Sequence, residues 1–253
     1  MDKKYELTEE SIEYFGRRLF RIRAIRDFGS VRKGDLGGFV ESEKNLSHEG
    51  NCWISNYGIV SGHGVVSGNG VVSGNGVVSD YGIVSGHGIV SGHGVVSDYG
   101  IVSGHGVVSD NGVVSDYGVV LGHGVVLDYG VVSDYGVVSD YGTVSGNGVV
   151  SDYGVVSGNC EVSDHGIVCG DVEICGETLI KGNAIVKTMA DYILFKNDWS
   201  SGRYFTWTKS NNMWSVGCFY GTGEELIKKA YKDSEESGKK YESYVKFVEE
   251  NFL

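Results

Sequence analysis

The chain has no proline anywhere in its 253 residues, and no lysine or arginine between positions 45 and 180. Without proline, no residue interrupts a long hydrogen-bonded ladder by lacking an N–H. Without cations, the middle of the chain offers nothing to a phosphate backbone or an anionic membrane surface, so direct nucleic-acid and membrane partners are not expected. That stretch carries fourteen carboxylates, whereas the two flanks are close to neutral, so the middle accounts for the net charge of −12. No apolar run approaches the ~18 residues of a membrane-spanning helix. The opening Met1-Asp2-Lys3-Lys4-Tyr5 has no apolar leader core, which predicts a cytoplasmic protein. The five cysteines, Cys52, Cys160, Cys169, Cys175 and Cys218, show no metal spacing, and their odd number argues against a disulfide framework. A reducing compartment fits this pattern.

What the chain has instead is a strict period. From Ile54 to Val186 an aliphatic residue returns every six positions, most often within Gly-Val-Val-Ser-Asp-Tyr or Gly-Val-Val-Ser-Gly-His. A short exact repeat means stacked identical coils, so an all-β solenoid is expected. In the unit Gly94-Val95-Val96-Ser97-Asp98-Tyr99, strand alternation turns Val96 inward and Val95 and Ser97 outward. The Asp98 slot holds only Gly, Asp or Asn from Asn56 to Gly182, residues that tolerate left-handed backbone, so it is the turn. Three units per coil give a triangular prism of eighteen residues per turn, rising roughly 37 Å at ~4.8 Å per strand. Cys52 and Cys160 stand in the small inward slot and read as packing residues.

Hexapeptide-repeat left-handed β-helix proteins share this arrangement of an inward aliphatic followed four positions later by a small residue, as in Val96 and Gly100. The flanks resemble a group of phage- and prophage-encoded repeat proteins of bacteria. The similar stretches are Lys4-Tyr5-Glu6-Leu7-Thr8, Arg21-Ile22-Arg23-Ala24, Lys33-Gly34-Asp35-Leu36-Gly37-Gly38, Asn45-Leu46-Ser47, Ser200-Ser201-Gly202-Arg203-Tyr204-Phe205-Thr206 and Gly217-Cys218-Phe219-Tyr220-Gly221-Thr222. The resemblance implies left-handed coiling and a phage origin. It differs in one slot: the relatives often carry arginine outward, where this chain has valine or isoleucine.

Three units of organisation follow: a β-hairpin cap over 1–39, the repeat over 40–187, and a small α+β unit over 188–253. The hairpin is expected over 5–33 with its turn near Gly16. Arg21 and Arg23 lie on one face of its second arm, either solvated or gripping acidic neighbours. Residues 191–220 read as three aromatic-rich strands. Thr222-Gly223-Glu224-Glu225 is a capping box that starts a helix, with Gly238 as the point where it would break in two.

Stacking by eighteen sorts the corners into three columns. One holds Asp80-Tyr81, Asp98-Tyr99, Asp116-Tyr117, Asp134-Tyr135 and Asp152-Tyr153, a phenol strip edged with carboxylates. It suits a basic, partly apolar protein surface through ion pairs and cation–π contacts; stacking and turn preference alone explain it equally well. A second holds His87, His105 and His123, then Tyr141. A metal reading of these histidines competes with a plain corner role, and the corner role is preferred, because no carboxylate stands beside them. The third mixes Tyr57, Asn75, His93, Asn111, Tyr129, Asn147 and His165. Outward valine and isoleucine columns exceed what a lone monomer usually exposes. They predict a homo-oligomer, a dimer or trimer, with Val119, Leu121, Leu127 and Val137 at its interface.

The expected function is non-enzymatic: a phage-encoded binding or inhibitory protein that presents an acidic, tyrosine-laddered rod to a bacterial host protein. No catalytic residue, metal or cofactor is expected. A hexapeptide-repeat acyltransferase is the enzymatic alternative, although every mid-rod histidine sits in a repeated corner slot and none is unique enough to serve as its base. A structural or ice-like surface-binding rod is the third.

Overall fold

The computed structural model describes residues 2–253. Strands β1 (Tyr5–Tyr14) and β2 (Arg17–Ala24) form an antiparallel hairpin, and β3 (Leu36–Val40) pairs with β2. The turn falls at Phe15-Gly16, both with positive φ. The second arm ends at Ala24, earlier than the sequence suggests, because the chain then loops back to begin the first coil. From β4 (Trp53–Ile54) to β26 (Ile185–Val186), two-residue strands recur every six residues. Each pairs in parallel with the strand eighteen positions on, as Val95-Val96 does with Val113-Val114.

The strands fall into three faces. Face 1 begins at β3 and shows Ile59, Val77, Val95, Val113 and Val131 outward. Face 2 shows Val65, Ile83, Ile101, Val119 and Val137. Face 3 shows Trp53, Val71, Ile89, Val107 and Val125. The second residue of each strand points inward, and every one from Val60 to Val186 is fully buried. Each contributes ~1.5–3 kcal/mol of apolar burial. The glycine that opens each unit from Gly58 to Gly154 is also interior. A Cβ on Gly94 would stand 2.8 Å from the Val108 carbonyl oxygen, so the coil spacing itself requires a small residue there.

Successive strand peptides point alternately to the next and the preceding coil: Val95 donates its N–H to the Gly112 carbonyl at 2.9 Å and Ser97 to that of Val114 at 3.0 Å, while the parallel register of Val95-Val96 on Val113-Val114 returns the intervening bond. The first and last coils each face no further coil on one side, and the two caps meet the groups left there. At the first end Lys4 is fully buried. Its Nζ donates to the carbonyls of Cys52 (2.9 Å), Gly50 (3.3 Å) and Glu49 (3.4 Å) and lies 3.1 Å from the Cys52 Sγ. The Tyr5 hydroxyl sits between the Leu46 and Glu43 carbonyls. At the far end the acceptors are hydroxyls and a carboxylate. Thr206 Oγ1 takes the Leu179 N–H, Ser210 Oγ takes that of Ile185, and Asp191 takes those of Lys187 and Thr188.

The C-terminal unit departs from expectation in two respects. Its antiparallel sheet has four strands, β27 (Tyr192–Lys196), β28 (Tyr204–Thr208), β29 (Met213–Val216) and β30 (Phe219–Gly221). The fourth follows a tight turn at Gly217, whose φ is +56°. The helical segment breaks at Ser234, not Gly238. Thr222 and Glu225 cap α1 (Gly223–Asp233) as a capping box, and Ser234 caps α2 (Glu235–Phe252) by accepting the Ser237 N–H. Gly238 lies inside α2, buried, where a Cβ would strike the Tyr231 ring. Phe205, Trp207, Trp214, Leu226, Ala230, Tyr241, Val245 and Val248 form the core of this unit, as the aromatic content suggests.

Burial lowers the pKa of Lys4, so the folded chain releases this proton at lower pH than the unfolded chain does. Between those two values the unfolded state binds more protons, and stability rises with pH. Lys4→Met is expected to remove that slope and to cost about 2–4 kcal/mol by leaving first-coil carbonyls without a donor. Urea denaturation across alkaline pH measures both; an unchanged midpoint and slope would show that Lys4 does not cap the coil.

Candidate functional site

The candidate site is the corner between faces 1 and 2. The expected Tyr/Asp column forms there as a continuous stack. Ring centroids are 4.7 Å apart for Tyr81–Tyr99, 4.8 Å for Tyr99–Tyr117, 4.9 Å for Tyr117–Tyr135 and 5.0 Å for Tyr135–Tyr153, with planes within 6°. His63 extends the stack by one ring, 4.4 Å from Tyr81. It lies eighteen positions before Tyr81, so its place was legible in the repeat although the column was read from tyrosines alone. Tyr81, Tyr99, Tyr117 and Tyr135 keep 45–48 % of their surface exposed, enough to be touched by a partner along the whole strip.

This corner is built differently from the other two. Asp80, Asp98, Asp116, Asp134 and Asp152 have φ of 44–50°, and the tyrosines that follow are also left-handed, at 66–74°. At the corner between faces 2 and 3, Gly86 is left-handed but His87 is not. The hydrogen bonds reverse accordingly. His87 N–H donates forward to the Gly104 carbonyl, whereas Tyr117 N–H donates backward to Asp98 and Tyr135 N–H backward to Asp116. The dipeptide does not decide this, because Asp128-Tyr129 and Asp140-Tyr141, at the other corners, leave tyrosine with ordinary φ. Gly62-His63, at the head of the same column, also leaves its second residue with ordinary φ, so the reversed turn is confined to the five Asp-Tyr units of this column. Ser97, Ser115 and Ser133 hydroxyls donate to the carboxylates that follow them at 2.9–3.0 Å and fix these toward solvent.

The head of the column is already occupied by a cation. Arg17, at the hairpin tip, pairs with Glu41 at 2.9 Å and Asp80 at 3.4 Å. Glu41 also accepts the Gly62 N–H; that bond first, then Arg17, holds its pKa below the usual carboxylate range. Below Arg17, the carboxylates of Asp98, Asp116, Asp134 and Asp152 make no ion pair among the described residues. Arg21 and Arg23 pair with Glu10 and Glu6 on the facing hairpin strand.

The histidine column forms at the corner between faces 2 and 3. His87 and His105 stack at 4.8 Å, His105 and His123 at 4.9 Å, and Tyr141 continues the stack. Among the described residues no group of three or more His, Cys, Asp or Glu is placed to hold a metal ion. Face 2 therefore lies between two aromatic columns. Of the four expected interface residues, Val119, Leu121 and Val137 share face 2, while Leu127 lies on face 3. All five cysteines are free thiols; Cys52 and Cys160 are buried in the inward slot, and burial pushes Cys160 up to about 11. Among the described residues no helix is long and apolar enough to cross a membrane.

No protein-family model matches the chain, and no curated protein matches it.

Adjacent carboxylates one strand apart repel by roughly 1 kcal/mol in water. Replacing Asp98, Asp116 and Asp134 together with asparagine keeps a residue tolerant of the left-handed turn and removes the charges. The expected result is a higher melting temperature at low salt, with a gain that shrinks as salt rises. A lower melting temperature at every salt concentration would show that the carboxylates stabilise the corner.

Proposed function

We propose that the protein is a non-enzymatic, phage-encoded binding protein of the left-handed hexapeptide-repeat kind. It acts in the bacterial cytoplasm by engaging a basic surface on a host protein, with inhibition of a host defence or regulatory protein as its role. The observation that carries this reading is Arg17. The chain's own guanidinium rests on the first carboxylate of the column and shows how an arginine sits there, while the next four aspartates have no cation of their own. A partner presenting arginines at similar spacing would extend the same contacts down the strip, with tyrosine faces adding cation–π attraction of ~0.5–1 kcal/mol at exposed sites. Face 2, next to the strip, adds apolar area. The phage origin and the coil handedness rest on the resemblance of the flanks and the repeat.

The test uses an oligo-arginine peptide as a first probe and then host proteins captured on the immobilised protein. Calorimetry should show saturable, salt-sensitive binding of the peptide. The triple change of Tyr99, Tyr117 and Tyr135 to asparagine, which accepts a positive φ, should weaken it several-fold while the protein stays folded. A captured host protein should lose affinity for the same variant. Equal affinity of variant and wild type would move the search to the C-terminal unit, and saturable binding of acetyl-coenzyme A would favour the acyltransferase reading instead.

Self-association is a second component, supported by the exposed aliphatic residues Ile83, Ile89 and Leu121. Light scattering should report a dimer or trimer, and Val119→Lys with Val137→Lys should dissociate it if face 2 is the contact. A wild-type monomer at all micromolar concentrations would remove self-association from the account.

A further inference from the structure

The two C-terminal stretches singled out in the sequence, Ser200 to Thr206 and Gly217 to Thr222, touch the rod only through Thr206 and Tyr220 in their described hydrogen bonds. They meet in a cleft of about 420 Å³ on the C-terminal unit. Ser201 and Arg203 enter it from before β28; Gly217, Cys218, Phe219 and Tyr220 enter from the turn into β30. Lys229 of α1 and Tyr241 of α2 close the other side. The framework is fixed from beneath: Asn197 donates its backbone N–H to the Arg203 carbonyl at 2.8 Å and its side-chain amide to the Tyr241 hydroxyl at 3.2 Å.

The charge of this cleft is opposite to that of the chain. Two cations line it and no carboxylate does. Neither Arg203 nor Lys229 makes an ion pair among the described residues, although six of the nine ion pairs found there hold an arginine or lysine of the N-terminal cap. The cleft volume falls in the ~300–1,000 Å³ range of small-molecule sites. A guanidinium fork and an ammonium together match a dianionic oxyanion, and phosphate is the form that arginine recognises with planar, bidentate geometry. Val216, Phe219 and Tyr220 supply apolar and aromatic surface beside those cations for a ring.

We infer that this cleft is a binding site for a small phosphate monoester carrying a planar ring, of mononucleotide size, held by Arg203 and Lys229. The site is separate from the acidic corner of the rod, so it stands or falls independently of the partner proposed above.

Cys218 gives a direct readout, because it lines the cleft and is exposed, and Cys175 is an exposed thiol that does not line it. The probes are AMP, adenosine and inorganic phosphate, with iodoacetamide alkylation of the intact chain followed by mass spectrometry. AMP should slow alkylation of Cys218 saturably and leave Cys175 unchanged; phosphate should do so more weakly, and adenosine not at all. Arg203→Gln combined with Lys229→Gln should weaken AMP protection by about ten-fold or more, with the melting temperature unchanged, since both side chains are exposed. Unchanged Cys218 reactivity at millimolar AMP, equal protection by adenosine, or equal protection in the double variant would each overturn the inference.

Discussion

Closure of the backbone ladder at its two ends is the constraint on which the rest of the molecule depends. Each coil satisfies its strand peptides on the coils before and after it, so the first and last coils each leave backbone groups that only the flanking segments can meet. At the first coil an ammonium and a phenol donate to carbonyls, and at the last coil hydroxyls with one carboxylate accept from N–H groups. The two flanking segments thus cap the rod with different chemistry.

The corner between faces 1 and 2 is where aspartate and tyrosine concentrate. Its turn peptides are reversed relative to those at the other corners, and both turn residues take left-handed backbone that tyrosine adopts at a cost of order 1 kcal/mol. Ring stacking of ~0.5–1.5 kcal/mol per pair offsets that cost. The result is an aromatic strip with carboxylates on one side, held straight by the stack.

The solenoid was legible because the constraint that makes it is local and repeated. An inward aliphatic, a small interior residue and a left-handed turn recur through the mid-rod units, and Val96, Gly94 and Asp98 report them without reference to distant sequence. The column memberships followed from counting by eighteen. Lys4 was not legible as a buried residue, because its partners are backbone carbonyls 45 to 48 residues away and carbonyls leave no mark in sequence. The reversed turn was equally hidden, since Asp98-Tyr99 and Asp140-Tyr141 are the same dipeptide in different columns. Gly238 misled for a similar reason: it reads as a helix breaker, but the space it leaves is taken by Tyr231, and Ser234 makes the break. The cleft on the C-terminal unit assembles from segments that no period links.

Because each coil repeats the last in both pairing and corner identity, the gene can lengthen or shorten the rod without redesign, but only in whole turns. Gain or loss of eighteen residues leaves each downstream aspartate and tyrosine in its column and both end pieces against the same faces. Gain or loss of six keeps the aliphatic core continuous yet rotates everything downstream by one face, which splits the acidic strip and shifts the C-terminal unit around the axis. Unequal recombination within the repeat therefore yields a graded series of rods with one continuous strip, and a second series, equally foldable, in which the strip is broken.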